Sequence, residues 1–430
     1  MKKAYRFKFI GVLLLLVCSI SITTGAKSFE DLGTVRAYVV ESVGKQTLVS
    51  RDGSLAEPVL AKTMITLPGT YFLTQTTLAG EINMRCFTIP AIESTTEWHI
   101  QKPSQLKEVL KNALQTYQEE ITLYFENSTY TLDQLNQMIR TELDALVMEY
   151  PKIYYNQYKL TVYGQRNPKV MLTFKYAVED RKKLLQYSKQ VDEQVKKLIN
   201  TLISTDMKDY EREWKFVDYL VNNVSYGKGI KEVEHMMFGG LVDKVAVCDG
   251  YAKSLMYLLN SVGVPTKMVT GTARGIDENG GNIDQPHAWN LVKINGAYYH
   301  VDVTWADQDQ NNIGNYYNYI NEKDEYMALT HTWEKAKYPK TTSDQYLSIN
   351  LPLKLAGVYK VDSKSEWTSL KRQLSQEKGL SKNIIFYNLS THKWSLDKIL
   401  QEIVKLENNE IYYSSYYKYD CLILNYKSAH

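Results

Sequence analysis

Three residues that could together perform nucleophilic chemistry fall within one stretch of the chain: Cys248, His287 and Asp302. A thiol forms a covalent acyl intermediate when a neighbouring base activates it, and a carboxylate can orient that base. The elements that carry the three residues decide whether their side chains can meet.

Cys248 is predicted to lie at the start of a helix. Gly263 and Pro265 end the helical pattern that follows it, and five apolar residues recur at helical spacing in between: Ala252, Leu255, Met256, Leu259 and Val262. Free N–H groups at a helix N-terminus favour an anion, which is one route to a nucleophilic thiolate. The alternative is that Cys248 is a small buried apolar residue.

His287 and Asp302 are predicted to lie on the two strands of a hairpin. The turn is Asn295-Gly296, a dipeptide that two-residue type I′ turns prefer. The register that follows places Asp302 opposite Trp289 and extends the second strand through Thr304. His287 and Asp302 then become diagonal neighbours on one sheet face. An imidazole held in this way keeps its other nitrogen free to serve a nucleophile.

Three motifs surround these residues: Val247–Ala252, His287–Asn290 and Tyr299–Trp305. In these motifs the chain resembles the transglutaminase-like superfamily, and weaker similarity extends over about residues 205–335. The likeness is greatest to bacterial secreted proteins of the cytokinesis and kyphoscoliosis-peptidase types. The resemblance implies an α/β (α+β) fold with a papain-like core.

The resemblance also implies roles for the residues of the site. Cys248 would be the nucleophile, His287 the general base and then the general acid, and Asp302 the group that orients His287. Members of the superfamily form an oxyanion hole from the nucleophile's own N–H and an upstream side chain, for which Tyr226 is our candidate. Trp289 shares the predicted sheet face of His287, where it either walls the site or packs in the core.

We expect neither a cofactor nor a metal ion. The seven histidines are scattered, and no Cys-x-x-Cys or His-x-x-x-His pair occurs. The acidic calcium loop of the animal cross-linking enzymes is not evident. Between Thr270 and Pro286 turn-forming residues predominate, so we expect a loop there, which is either a rim of the site or a plain hairpin connection.

The first 26 residues predict a secretory signal peptide. Four cationic residues precede an apolar run from Phe9 to Ile22, and small residues follow up to Ala26. The run is short for a membrane-spanning helix, which favours cleavage near Lys27 over a retained anchor. We therefore expect a secreted protein or one held at the cell surface or envelope. In an oxidising compartment Cys86 and Cys421 either form a disulfide or stay free.

The composition is typical of a globular protein and argues against nucleic acid as a partner. The chain has 430 residues, 44% of them hydrophobic and 23% charged, which is enough for two or three domains. Loss of the four leader cations takes the formal net charge from +3 to about −1 (3 − 4). No basic cluster or nucleic-acid-binding motif is present.

A pattern of helices and strands near residue 100 recurs in the same order near the C-terminus. Tyr130–Asp133 in the first segment matches Trp394–Asp397 in the second. We therefore expect two similar small α/β modules that flank the core and dock a cell-surface protein or a cell-wall partner. Their tyrosines either stack on saccharides or lie half buried on a sheet. The predicted organisation is signal peptide 1–26, β-rich region 27–97, first module 98–178, connector helix 179–204, catalytic domain 205–340 and second module 358–428.

These features predict an exported thiol enzyme that acts on a peptide or protein substrate. It would transfer or hydrolyse the acyl group of a peptide or glutamine amide through a thioester on Cys248. Water as the acceptor gives hydrolysis, and an amine gives cross-linking. The alternatives are a non-catalytic interaction scaffold of the cell envelope and a cysteine peptidase or amidase directed at the cell wall.

Overall fold

The structure of the chain is a computed structural model. It describes residues 29–40, 46–59, 62–90, 95–276, 282–307, 319–350, 358–375, 382–407 and 411–428. The predicted signal peptide lies outside these residues. Among the helices of the described part, none has both the length and the apolar character needed to cross a bilayer. Helices and sheets are mixed along the chain, so the predicted α/β class is confirmed.

The N-terminal region consists of seven strands within the described residues. They are β1 (Phe29–Thr34), β2 (Tyr38–Val40), β3 (Gln46–Arg51), β4 (Glu57–Pro58), β5 (Thr63–Ile65), β6 (Gly69–Thr76) and β7 (Ile82–Ile89). Five of them form a sheet in the order β1-β7-β6-β3-β4, and β2 pairs with β5.

A small α/β module follows. Its elements are β8 (Glu97–Ile100), α1 (Leu106–Gln115), β9 (Glu120–Phe125), α2 (Leu132–Glu149), β10 (Tyr155–Tyr163) and β11 (Lys169–Tyr176). The strand order is β10-β11-β9-β8. A long amphipathic helix, α3 (Arg181–Leu202), then leads to the central part of the chain.

The central part combines a five-stranded sheet with the helix that begins at Cys248. Its larger elements are α4 (Asp209–Asn223), α5 (Cys248–Ser261), β14 (Thr266–Ile276), β15 (Asn282–Ile294) and β16 (Ala297–Val301). Its shorter elements are β12 (Ser225–Tyr226), β13 (Val245–Ala246), α6 (Val303–Ala306), β17 (Ile320–Glu322), α7 (Asp324–Met327) and β18 (His331–Trp333). The sheet order is β17-β16-β15-β14-β18.

The C-terminal module has the same topology as the first. Its elements are β19 (Val358–Val361), α8 (Lys364–Leu374), β20 (Lys382–Phe386), α9 (Leu389–His392), α10 (Leu396–Glu407), β21 (Ile411–Lys418) and β22 (Cys421–Ser428). In each module the first two strands are parallel, the second pairs antiparallel with the fourth, and the fourth with the third. The core is therefore flanked by two similar small modules, as predicted.

Helix α5 is enclosed on all sides. Every residue from Gly250 to Ser261 is buried, as is typical of a helix in the middle of a core. On its far side Tyr257 packs so closely against Gly53 that a Cβ there would lie 1.7 Å from the tyrosine ring. Gly53 also has φ +74°, a conformation that favours glycine.

Asp192 on α3 joins three parts of the chain at the back of α5. It binds Lys152 Nζ at 2.6 Å, Tyr257 Oη at 2.5 Å and Thr70 Oγ1 at 3.2 Å. These partners belong to the first module, to α5 and to β6 respectively. The helix that carries Cys248 is thus held by the N-terminal region and the first module together.

Two local predictions need correction. The loop predicted between Thr270 and Pro286 is too long, because residues 270–276 and 282–286 belong to β14 and β15, which pair continuously from Thr266–Val292 to Ile276–Asn282. Residues 277–281 of the predicted loop lie outside the described residues. The second hairpin strand does not reach Thr304, since β16 ends at Val301 and Asp302 begins α6 as its N-cap. Aspartate is among the strongest N-cap residues, and its side chain accepts the N–H of Trp305 at 3.1 Å.

The two cysteines considered for a disulfide are both free and buried. Cys86 lies on β7 of the N-terminal sheet, and Cys421 begins β22 of the second module.

Candidate active site

The nucleophile candidate occupies the first position of α5, as the sequence pattern predicted. Cys248 is half-buried, and the preceding Val247 has extended backbone angles and no side-chain cap. The amide of Val247 donates to the carbonyl of Glu234 at 3.0 Å. Two residues after the thiol, a Cβ on Gly250 would lie 2.3 Å from that same carbonyl. Glycine at this position therefore allows the segment before α5 to pack against the helix start.

His287 lies between the other two residues of the predicted triad. Its Nε2 is 2.8 Å from Oδ2 of Asp302, and its ring also interacts with the thiol of Cys248. Burial opposes a charge on the imidazole, but the attraction and hydrogen bond of Asp302, followed by those of Cys248, outweigh it. The pKa of His287 is raised to about 10. The imidazolium is therefore the favoured form at neutral pH, which suits a neighbouring thiolate.

Asp302 is a fully buried carboxylate with several donors. Oδ1 accepts the N–H of Trp305, and Oδ2 is 2.8 Å from His287 Nε2 and 3.0 Å from His331 Nε2. Burial acts to raise the pKa of Asp302, but His287 first and His331 second hold it well below its usual range. The group is therefore a carboxylate at neutral pH.

His331 is a member of the site to which the sequence patterns assigned no role. It begins β18, an edge strand that pairs with β14 so that His331 lies opposite Ala273. The side chain is buried, and its Nδ1 is 2.8 Å from Thr330 Oγ1. Nothing local in the sequence indicates that this strand returns to Asp302.

Three groups of the site are close enough to share a cation. The donor atoms of His287, Asp302 and His331 all lie within 4.8 Å of one another. The two imidazole Nε2 atoms can each donate a hydrogen to Oδ2 of Asp302 at normal distances. Hydrogen bonding therefore accounts for the arrangement.

Trp289 both packs in the core and borders the site. Its indole is 1% exposed, and its ring stacks on that of His287 with a centroid distance of 6.0 Å. Nε1 donates to Nδ1 of His300 at 2.9 Å, and His300 Nε2 is 2.9 Å from Asp324 Oδ1. Burial lowers the pKa of His300, so this imidazole is neutral and can accept from the indole. This chain fixes the ring on which His287 rests.

Tyr226 lies on the open side of the site. Its side chain is 62% exposed, and β12 pairs with β13 so that Tyr226 lies opposite Ala246, two residues before the thiol. Partial burial and the negative charges of Cys248, Asp302 and Asp249 raise its pKa. The hydroxyl therefore keeps its proton and can act as a donor.

A second group of polar residues secures the segment before α5. Asp249 accepts from His235 Nδ1 at 2.9 Å and lies 3.3 Å from Lys253 Nζ. Lys253 also donates to the carbonyl of His235 at 2.9 Å. Sequence analysis assigned no role to these residues, because His235 lies on a separate segment whose contact with Asp249 and Lys253 of α5 no local pattern indicates.

Comparison with protein families identifies the class of the core. A family model described as "Transglutaminase-like superfamily" matches residues 196–303, which include Cys248, His287 and Asp302. Residues 196–303 thus match the transglutaminase-like superfamily, whose members generally have cysteine protease or acyltransferase activity.

The chain is also similar to several solved structures. One is a proposed cysteine protease from Cytophaga hutchinsonii, at 16% identity and TM-score 0.23, covering 34% of this chain and 61% of that one. A structure described as a TGase has 13% identity and TM-score 0.22, covering 55% and 65%. The periplasmic domain of TgpA from Pseudomonas aeruginosa has 15% identity and TM-score 0.19, covering 33% and 56%. The chain thus spans less than two thirds of each. No curated protein matches it.

Proposed function

We propose that the protein is an exported cysteine enzyme that transfers or hydrolyses the acyl group of a peptide or glutamine amide. The observation that carries this proposal is the position of His287, whose Nε2 is 2.8 Å from Oδ2 of Asp302 and whose ring interacts with Cys248 at the start of α5. A thiol at a helix start beside a charged imidazole is an arrangement that activates cysteine nucleophiles.

In the proposed reaction the thiolate of Cys248 attacks the amide carbonyl carbon. The C–N bond then breaks, His287 gives its proton to the leaving amine, and a thioester remains. Water or an amine then attacks the thioester, and the now neutral His287 takes the proton of the attacking molecule. The C–S bond breaks and Cys248 leaves as the thiolate. The N–H of Cys248 and the hydroxyl of Tyr226 are the proposed donors to the oxyanion. Asp302 keeps His287 oriented and charged in the first step.

The proposed export rests on the first 26 residues, and the proposed partners rest on the two modules. We propose that the modules dock a cell-surface protein or a cell-wall polymer and so bring the substrate to the core. Expression of the full chain in a bacterial host, followed by fractionation and N-terminal sequencing, tests the first point. Recovery of the intact leader in the cytoplasmic fraction would contradict it.

The catalytic proposal is tested with the purified chain lacking residues 1–26. A glutamine-containing peptide is incubated with a fluorescent primary amine, and mass spectrometry measures both amine incorporation and release of ammonia or a peptide fragment. We expect one of these products with the wild type and with Cys421→Ala, and none with Cys248→Ala. Equal yields from wild type and Cys248→Ala would refute the proposal and favour the scaffold alternative.

A further inference from the structure

Oδ2 of Asp302 lies between two histidines, only one of which faces the thiol. His331 Nε2 is 3.0 Å from Oδ2, compared with 2.8 Å for His287 Nε2. On the other side of the His331 ring, Thr330 Oγ1 is 2.8 Å from Nδ1. When the threonine hydroxyl donates to Nδ1, the ring hydrogen lies on Nε2, which is the tautomer that can donate to Asp302.

The ring of His331 is fixed by aromatic neighbours. The residue is 2% exposed, and its ring centroid lies 4.9 Å from that of Trp289 and 4.8 Å from that of Trp305. Tyr319 completes the contact at 6.2 Å. An imidazole enclosed in this way has little rotational freedom, so it offers a donor at a defined position.

Asp302 needs such a donor because the carboxylate is fully buried. A buried charge is tolerated only when its oxygens are paired or hydrogen-bonded. Without His331, Oδ2 would keep the bond to His287, and Oδ1 the bond to Trp305 N. Four titratable side chains, each from a different segment, interact electrostatically with Asp302: His287, His331, Tyr226 and Tyr319. Of these, the two histidines are the hydrogen-bond partners of Oδ2.

We propose that His331 is a positioning residue that fixes the carboxylate of Asp302 and thereby holds the His287 ring against Cys248. The inference rests on the proposed function only in taking the Cys248–His287 pair as the reacting unit. It adds a fourth side chain to the site, one that is hydrogen-bonded to Asp302 and acts through that carboxylate.

The test uses the alkylation of Cys248 by iodoacetamide in the full mature chain, located by peptide mapping. The measured quantity is the ratio of the labelling rate at about pH 6 to that at about pH 10.5, where a free thiolate reacts without help. For His331→Phe we expect this ratio to fall about tenfold, as for the loss of one hydrogen bond to a charged group. His331→Gln, which keeps an N–H donor, should restore the ratio to within about threefold.

Two further variants keep the result interpretable. Thr330→Val removes only the bond that orients His331, and we expect a fall of about threefold; it decides the question should His331→Phe not fold. His99→Phe changes an exposed histidine of the first module and should leave the ratio at the wild-type value. Thermal unfolding of each variant establishes that the labelled protein is folded.

The outcomes separate this inference from the proposed function. An unchanged ratio in folded His331→Phe, or in Thr330→Val where His331→Phe does not fold, overturns the positioning role. So does a glutamine variant no better than phenylalanine. If His287→Ala also leaves the ratio unchanged, the pair itself is not activated, and the proposed function fails with it.

Discussion

Replacement of Asp302 by asparagine is the sharpest test of the electrostatics of the site. The substitution keeps the size of the side chain but removes the charge that His287 faces at 2.8 Å. The amide oxygen of asparagine can replace only one of the two carboxylate oxygens that accept hydrogen bonds here. The amide nitrogen in the other position is a donor and would face an N–H group. The imidazolium of His287 loses its main support, while the thiol and the helix start stay in place.

The structure gives the size of the expected effect. The pKa of His287 is raised from 6.5 to about 10, which at about 1.4 kcal/mol per unit corresponds to about 5 kcal/mol in favour of the imidazolium. Asp302 makes the largest favourable contribution. If Asp302→Asn removes about half of this stabilisation of the imidazolium, about 2.5 kcal/mol, the ion pair of thiolate and imidazolium becomes about 60-fold less populated. Labelling of Cys248 and amide turnover should both fall by that factor near neutral pH.

The assay is the pH dependence of Cys248 alkylation in wild type and Asp302→Asn, with amide turnover measured alongside. Asp307→Asn is the matched control, because that carboxylate lies five residues further on and bonds to Tyr251 rather than to His287. Labelling of Asp302→Asn at the wild-type rate between about pH 6 and pH 8 would refute the reasoning. A loss of equal size in Asp307→Asn would show that the effect is not specific to the partner of His287.

Three further predictions concern the anchor of α5, a buried acid and the oxyanion donor. Gly53→Ala should lower the free energy of unfolding in urea by at least about 2 kcal/mol, because the new Cβ meets the ring of Tyr257 at 1.7 Å; Gly80→Ala, also at positive φ but in open space, should cost about 1 kcal/mol. Burial raises the pKa of Glu213 from 4.5 to about 8, so between these two pH values the folded state keeps a proton that the unfolded state has released. The free energy of unfolding should therefore fall by about 1.4 kcal/mol per pH unit as the pH rises through this range. Urea titrations of Glu213→Gln should lack this slope. Tyr226→Phe should reduce amide turnover at least about tenfold yet leave Cys248 alkylation at about pH 6 unchanged, and equal losses in both assays would contradict a role as oxyanion donor.

The elements that carry the site could be predicted because their signals are local. Apolar spacing and the stop at Gly263 predicted the helix that begins at Cys248. Asn295-Gly296 predicted the hairpin register, and the observed pairing of Ile294 with Ala297 confirms it. From this register alone His287 and Asp302 were expected to meet, and they do.

The same local reasoning was wrong where competing interactions decide the backbone. Asp302 does not continue the strand because its carboxylate caps α6 by accepting the backbone N–H of Trp305. In a longer strand this N–H would need another partner. Residues 271–276 and 282–285 lie in strands although turn formers occur among them, because continuous pairing of β14 with β15 outweighs their weak individual preferences.

The sequence by itself thus determined the nucleophile's helix, the hairpin and the resemblance of the core, because each depends on residues a few positions apart. Only the tertiary structure brought His331 to Asp302, since an edge strand 29 residues away must first pair with β14. It also decided that Trp289 is held by His300, and that Asp192 and Gly53 secure α5 from behind. Such contacts follow from the packing of distant segments around a buried carboxylate and a buried helix, and no spacing within the sequence encodes them.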